Sequence, residues 1–298
     1  MGLIKNKLVV SIEGNIGSGK SSILNTYKRD PAVLIYPEPV ETWKNYNGTN
    51  MLANMYNDPA KYTFPFQLCN IITTDKIHND IRENQSKKVR RNIAITERCP
   101  LTPVYVFISY GVEKGFLDET QQELLNTLNE RINGDNLTPD MVIYVKTDPE
   151  VAFERIRNRN REEESTITLE FIQDLDIKHD EYMKVLKETY GVPVYMIDGN
   201  KSLQEIEKDL SNLKPIMEKF LKNKIEREEE EKIIINSEKE EEEGGEDDEI
   251  IKTCLPIPQP NRKETSIWNY IPFFDYIFSF IRYLIVSKNP KIELKKQA

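Results

Sequence analysis

The chain is 298 residues long, with 38% hydrophobic and 31% charged residues and a formal net charge of −9, a balance that suits a globular body carrying a polar appendage. Residues 1–222 hold 29 basic against 33 acidic residues, so no bulk basic surface offers itself to a nucleic acid polymer, although a few focused cations suffice for a small phosphate-bearing ligand. Three cysteines (Cys69, Cys99, Cys254) and two histidines (His78, His179) argue against a disulfide framework or a zinc site, and for reduced thiols in an intracellular, cytoplasmic setting.

Residues 8–13 (LVVSIE) form a short apolar run rich in branched side chains, which predicts a buried strand. The run passes directly into Gly14, Asn15, Ile16, Gly17, Ser18, Gly19, Lys20, Ser21 and Ser22, and then into a stretch with helical character up to Arg29. Gly14-x-x-x-x-Gly19-Lys20-Ser21 fits the Walker A pattern in full, in the strand–loop–helix context that the pattern requires. Glycines let backbone N–H groups curl around phosphate oxygens, and the helix behind the loop points its positive end at the anion. Lys20 is then expected on the β- and γ-phosphates and Ser21 on Mg²⁺, which makes ATP the expected phosphate donor. A guanine-reading Asn-Lys-x-Asp tetrapeptide does not occur, which argues against a GTPase.

The second predicted strand, 33–36, leads into Glu38-Pro39-Val40-Glu41-Thr42-Trp43. A carboxylate at the C-terminal end of a strand opens into the crevice where α/β sheets bind ligands. There Glu38 can serve as a general base for a hydroxyl nucleophile, with Trp43 as a flat wall; the alternative is a surface Glu-Pro turn beside a core tryptophan. A helix over 62–83 and a strand over 93–97 follow, and the strand ends in Glu97-Arg98-Cys99. Glu97 is a natural Mg²⁺ ligand next to a Walker A loop, and Arg98 a cation for a transferring phosphoryl group, unless the two form a plain strand-end ion pair. Helices are predicted over 104–114 and 119–132, a strand over 141–145 and a helix over 149–157. Arg155, Arg157, Arg159 and Arg161 then stand at alternate positions, which do not share one helix face. A mobile, arginine-rich flap over ATP explains that spacing better than a charged surface stripe. A helix over 169–190, a strand over 192–197 and a helix over 203–221 complete the pattern. Five strands alternating with helices predict an α/β fold: a five-stranded parallel sheet with helices on both faces, of the P-loop type.

Composition changes near residue 223. Residues 226–249 carry fourteen acidic against three basic side chains and cannot bury enough apolar surface to fold alone, so they read as disordered or as a solvated helical extension. Beyond an extended proline-containing stretch, 267–287 is strongly apolar and aromatic, with Trp268 and Tyr270 at one end and Lys288 and Lys291 past the other. It is long enough for a bilayer of about 30 Å, but Asp275 and Arg282 would each cost roughly 2.5–3.5 kcal/mol inside one. Contact with a membrane surface and packing against protein both remain open. The expected division is a catalytic body over 1–222, an acidic and proline-containing linker over 223–266, and a hydrophobic segment with a basic end over 267–298.

The glycine loop, the EPVETW segment, Met55–Gln67 (MYNDPAKYTFPFQ), Glu97-Arg98-Cys99 and RIRNRNREEE occur in the order and spacing of the deoxynucleoside kinase family, which residues 7–222 therefore resemble. The resemblance implies ATP- and Mg²⁺-dependent phosphorylation of the 5′-hydroxyl of a deoxyribonucleoside, with Glu38 as general base. It implies Tyr56 and Glu164 on the sugar 3′-hydroxyl, Gln67 on the base edge, and Trp43, Phe66 and Phe107 as the walls of the base slot. Arg159 and Arg161 match lid arginines on the phosphates, and Arg155 a further basic position. Cys99 stands where the family usually has serine. Purine-accepting members are similar to one another in an arginine and an aspartate here matched by Thr74 and Pro103, with Asn70 also beside the base, so the match leans towards pyrimidines. The resemblance also implies a homodimer. Rival readings are a thymidylate-type nucleoside monophosphate kinase and a catalytically silent, ATP-binding scaffold acting through its tail.

Overall fold

A computed structural model describes residues 7–83, 92–134 and 138–243, with backbone alone at 83 and beyond 230. Its centre is a five-stranded sheet of β1 (Leu8–Glu13), β2 (Val33–Tyr36), β3 (Ile93–Glu97), β4 (Met141–Lys146) and β5 (Val194–Asp198), in the order β2-β3-β1-β4-β5. Every pairing is parallel, with Val10 opposite both Ile95 and Met141. The expected α/β class and five-stranded parallel sheet are therefore what the chain forms. Parallel strands need crossovers that cover both faces, and each of the inner strands β1, β3 and β4 is buried nearly throughout.

Alternation along β1 divides the interior. Leu8, Val10 and Ile12 face one way, against Ile23 and Leu24 of α1 (Lys20–Thr26) and Ile206, Leu210, Leu213 and Met217 of the last helix. Between β2 and β3 come two short helices that hydrophobic periodicity does not announce, α2 (Val40–Lys44) and α3 (Met51–Asn57), and then the long α4 (Pro59–Glu83). Five and seven residues are too few to fold as helices alone, so α2 and α3 depend on their surroundings, helped by the Asn50 side chain accepting from Ala53 N. After β3 the chain makes a widened, π-type turn over Pro103–Ile108 where a uniform helix was expected, then α5 (Ser109–Glu113) and α6 (Glu119–Asn133). Helix α7 (Pro149–Arg159) follows β4, and α8 (Leu169–Glu188) packs Leu175, Tyr182, Met183 and Leu186 on the second sheet face with Val142 and Tyr144.

The arginine row corrects the expected flap. Helix α7 runs through Arg159, so Arg155 and Arg159 stand one turn apart on one face. Arg157 lies over the Phe153 ring instead, and Asn160, at φ 50, ends the helix so that Arg161 starts a new segment. Helix α9 (Leu203–Glu243) is longer than the predicted 203–221, so residues 226–243 of the acidic run are helical. The remainder of that run and the apolar segment 267–287 lie outside the described residues. Among the described residues no helix is long and apolar enough to cross a membrane.

Candidate active site

Strand ends build the site. Glu13 closes β1, Glu38 follows β2 and Glu97 closes β3, so three carboxylates meet at the C-terminal edge of the sheet, beside the glycine loop. Gly14, Gly17 and Gly19 have φ of 145°, 78° and 101°, a left-handed path that glycine takes without strain. The loop also sits hard against its neighbours: a Cβ on Gly14 would lie 2.6 Å from the Val145 carbonyl oxygen, and one on Gly17 would overlap the Ala152 carbonyl oxygen of α7.

A cleft of about 760 Å³ opens above this edge. Ile16, Gly17, Gly19, Lys20, Ser21 and Ser22 form its floor; Glu38, Glu97 and Arg98 its centre; and Arg155, Arg159, Arg161 and Glu164 one wall. Trp43, Tyr56, Phe66, Gln67 and Phe107 line the other end. Of the residues singled out in the sequence, Gly14, Asn15 and Ser18 lie outside the lining and shape the loop from beneath, and Arg157, Cys99, Thr74 and Pro103 lie outside it as well. Asn15 donates its side-chain amide to Ile172 O, and Ser18 O accepts from Thr147.

Lys20 donates to the Asn15 carbonyl at 2.7 Å. Burial, then the neighbouring Arg98, lower its pKa to about 8, against the pull of Glu97, Glu38 and Glu13. Ser21 Oγ donates to Glu97 Oε1 at 3.0 Å. Burial, and then Glu38, raise the Glu97 carboxyl above its ordinary range. Magnesium takes few protein oxygens and completes its shell with water and phosphate. The adjoining Ser21 and Glu97 oxygens fit that habit, and no group of three or more His, Cys, Asp or Glu among the described residues forms a closed metal cage.

Arg98 is the hub. Its Nε lies 2.7 Å from Glu38 Oε1, a contact of charge rather than of an aligned hydrogen bond. Its guanidinium lies 4.9 Å from the centre of the Phe107 ring. The residue has φ 68, an uncommon state for a side chain other than glycine's that persists only where surroundings enforce it. Part of the enforcement comes from Glu13, which sequence reasoning passed over. The Glu13 carboxylate is fully buried, accepts from Cys99 N at 3.0 Å and from Thr102 Oγ1 at 2.8 Å, and has its pKa raised chiefly by burial. It ends an apolar strand as Glu97 does, so the signal that marked Glu97 also marks Glu13. His179 and Tyr182 of α8 reach the same turn, and nothing in an ordinary amphipathic helix singles them out. Tyr182 Oη lies 2.9 Å from Cys99 Sγ, and burial pushes that thiol up to about 12.

At the aromatic end, Trp43 and Phe66 meet edge to face with centroids 5.5 Å apart. Gln67 is almost wholly buried and accepts from Asn70 Nδ2 at 3.4 Å, while Thr74 donates to Asn70 Oδ1 at 3.2 Å. Tyr56 packs edge to face on Phe171, and burial, then Glu164, raise its phenol pKa. Opposite, Arg159 grips the buried Glu164 at 2.7 Å and Arg161 approaches it at 3.3 Å. Arg155 donates to Ser18 O and Gly199 O, tying the glycine loop to the turn after β5. The segment after α7 is further tied down by Glu163, which meets Lys44 and Asn50, and by Thr166, which donates to Tyr56 O.

An all-parallel sheet, a glycine-rich loop at its C-terminal edge and a two-ended cleft with cations between place the chain in the α/β class of nucleotide-binding folds. The model of the family described as deoxynucleoside kinase matches residues 10–222. A kinase-named protein of Invertebrate iridescent virus 6 is 31% identical over 68% of this chain and 94% of its own length. Human deoxycytidine kinase is 29% identical over 66% of this chain and 85% of its own, and human mitochondrial thymidine kinase 2 is 26% identical over 68% and 74%. The chain belongs to the deoxynucleoside kinase family, and with it to the kinases that phosphorylate nucleosides.

Proposed function

We propose that this chain transfers the γ-phosphate of ATP to the 5′-hydroxyl of a deoxyribonucleoside, as a step of nucleotide salvage. The observation that carries the reading is one cleft holding both halves of the reaction, a glycine loop with Lys20 at one end and a buried glutamine between aromatic rings at the other, with Glu38 and Arg98 between them. The base would lie along Trp43, Phe66 and Phe107 with its edge on Gln67, and the sugar against Tyr56 and Glu164. Glu38 would take the proton of the 5′-hydroxyl. Lys20, Arg98, Arg155, Arg159 and Arg161 would stabilise negative charge on the transferred group and on the donor's phosphates. Ser21 and Glu97 would hold Mg²⁺, which when bound supplies further positive charge to the phosphates.

A pyrimidine base is favoured. Thr74 and Pro103 line a small adjoining pocket that shares Trp43 and Asn70 with the cleft and themselves bring no charge, while Gln67 and Asn70 present neutral amides to the cleft. Relatives named for deoxycytidine and thymidine are in keeping with that choice. The same reading takes residues 1–222 as the catalytic body of a homodimer, and 267–287 as a contact with a membrane surface or a protein.

The test is transfer from γ-labelled ATP with Mg²⁺ by the full chain, offered thymidine, deoxycytidine, deoxyadenosine, deoxyguanosine and thymidine monophosphate. Transfer to a pyrimidine nucleoside is expected, with Glu38→Gln lowering kcat by about 10²–10⁴-fold. Transfer to the monophosphate alone would move the chain to the thymidylate kinase class. Folded, ATP-binding protein that transfers to nothing would leave a silent scaffold.

A further inference from the structure

The turn that carries Arg98 is held by a residue that the reaction scheme does not use. His179, in the middle of α8, has no exposed surface, and its Nε2 lies 3.4 Å from Arg98 Nη1. Arginine has no acceptor, so the contact requires a lone pair on Nε2 and therefore a neutral ring carrying its proton on Nδ1. The ring stands edge-on to Phe107 at 6.4 Å, while Arg98 lies over the Phe107 face at 4.9 Å. The guanidinium is thus restrained from three sides: Glu38 at Nε, His179 at Nη1 and the Phe107 ring on one face. We propose that His179 is a positioning residue for phosphoryl transfer, a neutral acceptor that fixes the Arg98 guanidinium between Glu38 and the site of the transferring phosphate.

Burial, and then the cations Arg98, Lys20 and Lys146, hold His179 well below the ordinary histidine pKa, in keeping with the neutral ring that the contact demands. The electrostatic stabilisation that an arginine gives depends on its being in place before charge develops. A displacement of about 1 Å in such a group can change the rate about 10²-fold. A loosened Arg98 should therefore slow the chemistry while leaving the walls of the base slot and the glycine loop as they are. The inference rests on the kinase reading given above.

The experiment compares His179→Leu, which removes the acceptor, with His179→Gln, which restores one, in the full chain under steady-state conditions with ATP and the preferred nucleoside. The Leu variant is expected to lose about 10- to 100-fold in kcat, with both KM values changing less than about 3-fold. The Gln variant is expected to recover to within about 5-fold of wild type. In an Arg98→Ala background the Leu substitution should cause no further loss, an interaction that a merely structural role would not produce. If the Leu variant does not fold, His179→Met, also apolar and more adaptable, takes its place. Wild-type kcat in the apolar variant, an equal loss in the Gln variant, or an undiminished loss in the Arg98→Ala background would each overturn the inference. A wild-type chain that transfers no phosphate sinks the kinase reading and this inference with it. An active wild type with an equally active Leu variant sinks this inference alone.

Discussion

Lys20 shows how one residue carries opposite demands. On the proposed reading it must be charged to hold phosphate, yet it is buried beside Arg98, and the two effects bring its pKa down to about 8. Below that value the ammonium is present; as pH rises through it, the charge is lost unless a phosphate anion holds the proton in place. ATP binding above pH 8 must then take up a proton. The KM for ATP is accordingly expected to rise by about fivefold between pH 8 and 9 while changing little from pH 6.5 to 7.5. Steady-state kinetics across that range would check it, with Lys20→Arg as control because the guanidinium stays charged and its profile should lack the rise. A flat wild-type profile would mean that Lys20 does not titrate there. At the same scale, Glu13 and Arg98 answer each other: a buried carboxylate on the Cys99 amide accompanies a backbone state that few arginines adopt.

The glycine loop and α7 are brought together by the absence of a side chain. Gly17 packs against the Ala152 carbonyl, and α7 then delivers Arg155 and Arg159 to the cleft one turn apart. Gly17→Ala would have to adopt φ near 78° and push α7 outwards at the same time. The expected consequence is a loss of about 2 kcal/mol or more, from backbone strain and overpacking together. The change should appear as a lower midpoint in urea, together with a KM for ATP raised at least several-fold as the arginines retreat. An unchanged KM would argue that α7 does not depend on this contact. Helix α4 works along its length in a similar way. Gln67, Asn70 and Thr74 lie along one side, and the helix that packs Ile77 and Ile81 against Val9 and Ala94 of the sheet also brings Gln67 and Asn70 to the cleft.

Across the whole molecule, α9 anchors itself to the body along its first half. Ile206, Leu210, Leu213 and Met217 are buried against β1 and α1, and further along Lys224 pairs with Asp140, which also accepts from Val9 N. The next pair, Lys222 with Glu226, is exposed and worth about 0.5 kcal/mol at most. Truncation after residue 230, which keeps all of these contacts, is expected to leave kcat and the thermal midpoint unchanged within a few degrees. Truncation after residue 209 removes three buried anchors at about 1.5–3 kcal/mol each. Such a loss rivals the whole stability of a typical domain, about 5–15 kcal/mol. Thermal unfolding of the two truncated chains, with activity assays alongside, would distinguish these outcomes.

Periodicity and turn chemistry are local, and what depends on them is legible along the chain. The five strands, the glycine loop and the carboxylates at strand ends follow from apolar runs that stop at acidic residues, with β5 displaced by only two residues at its start from the predicted 192. Helices α2 and α3 are too short to leave a period, and the widened turn at Pro103–Ile108 has none of its own. The arginine row misled because alternation was taken to keep the arginines off one face; the helix runs two residues further than predicted, to Arg159, so that Arg155 and Arg159 share a face, while Arg157 turns to Phe153 and Arg161 starts a new segment. His179 and Glu13 belong to the site only because the fold brings β1, β3 and α8 to one turn, across more than eighty residues of chain. The chain by itself determined the sheet, the loop and the kind of chemistry, since these rest on residue type and short spacing. Only the tertiary structure decided which buried groups brace Arg98, because a hydrogen-bond partner distant in sequence leaves no periodic mark.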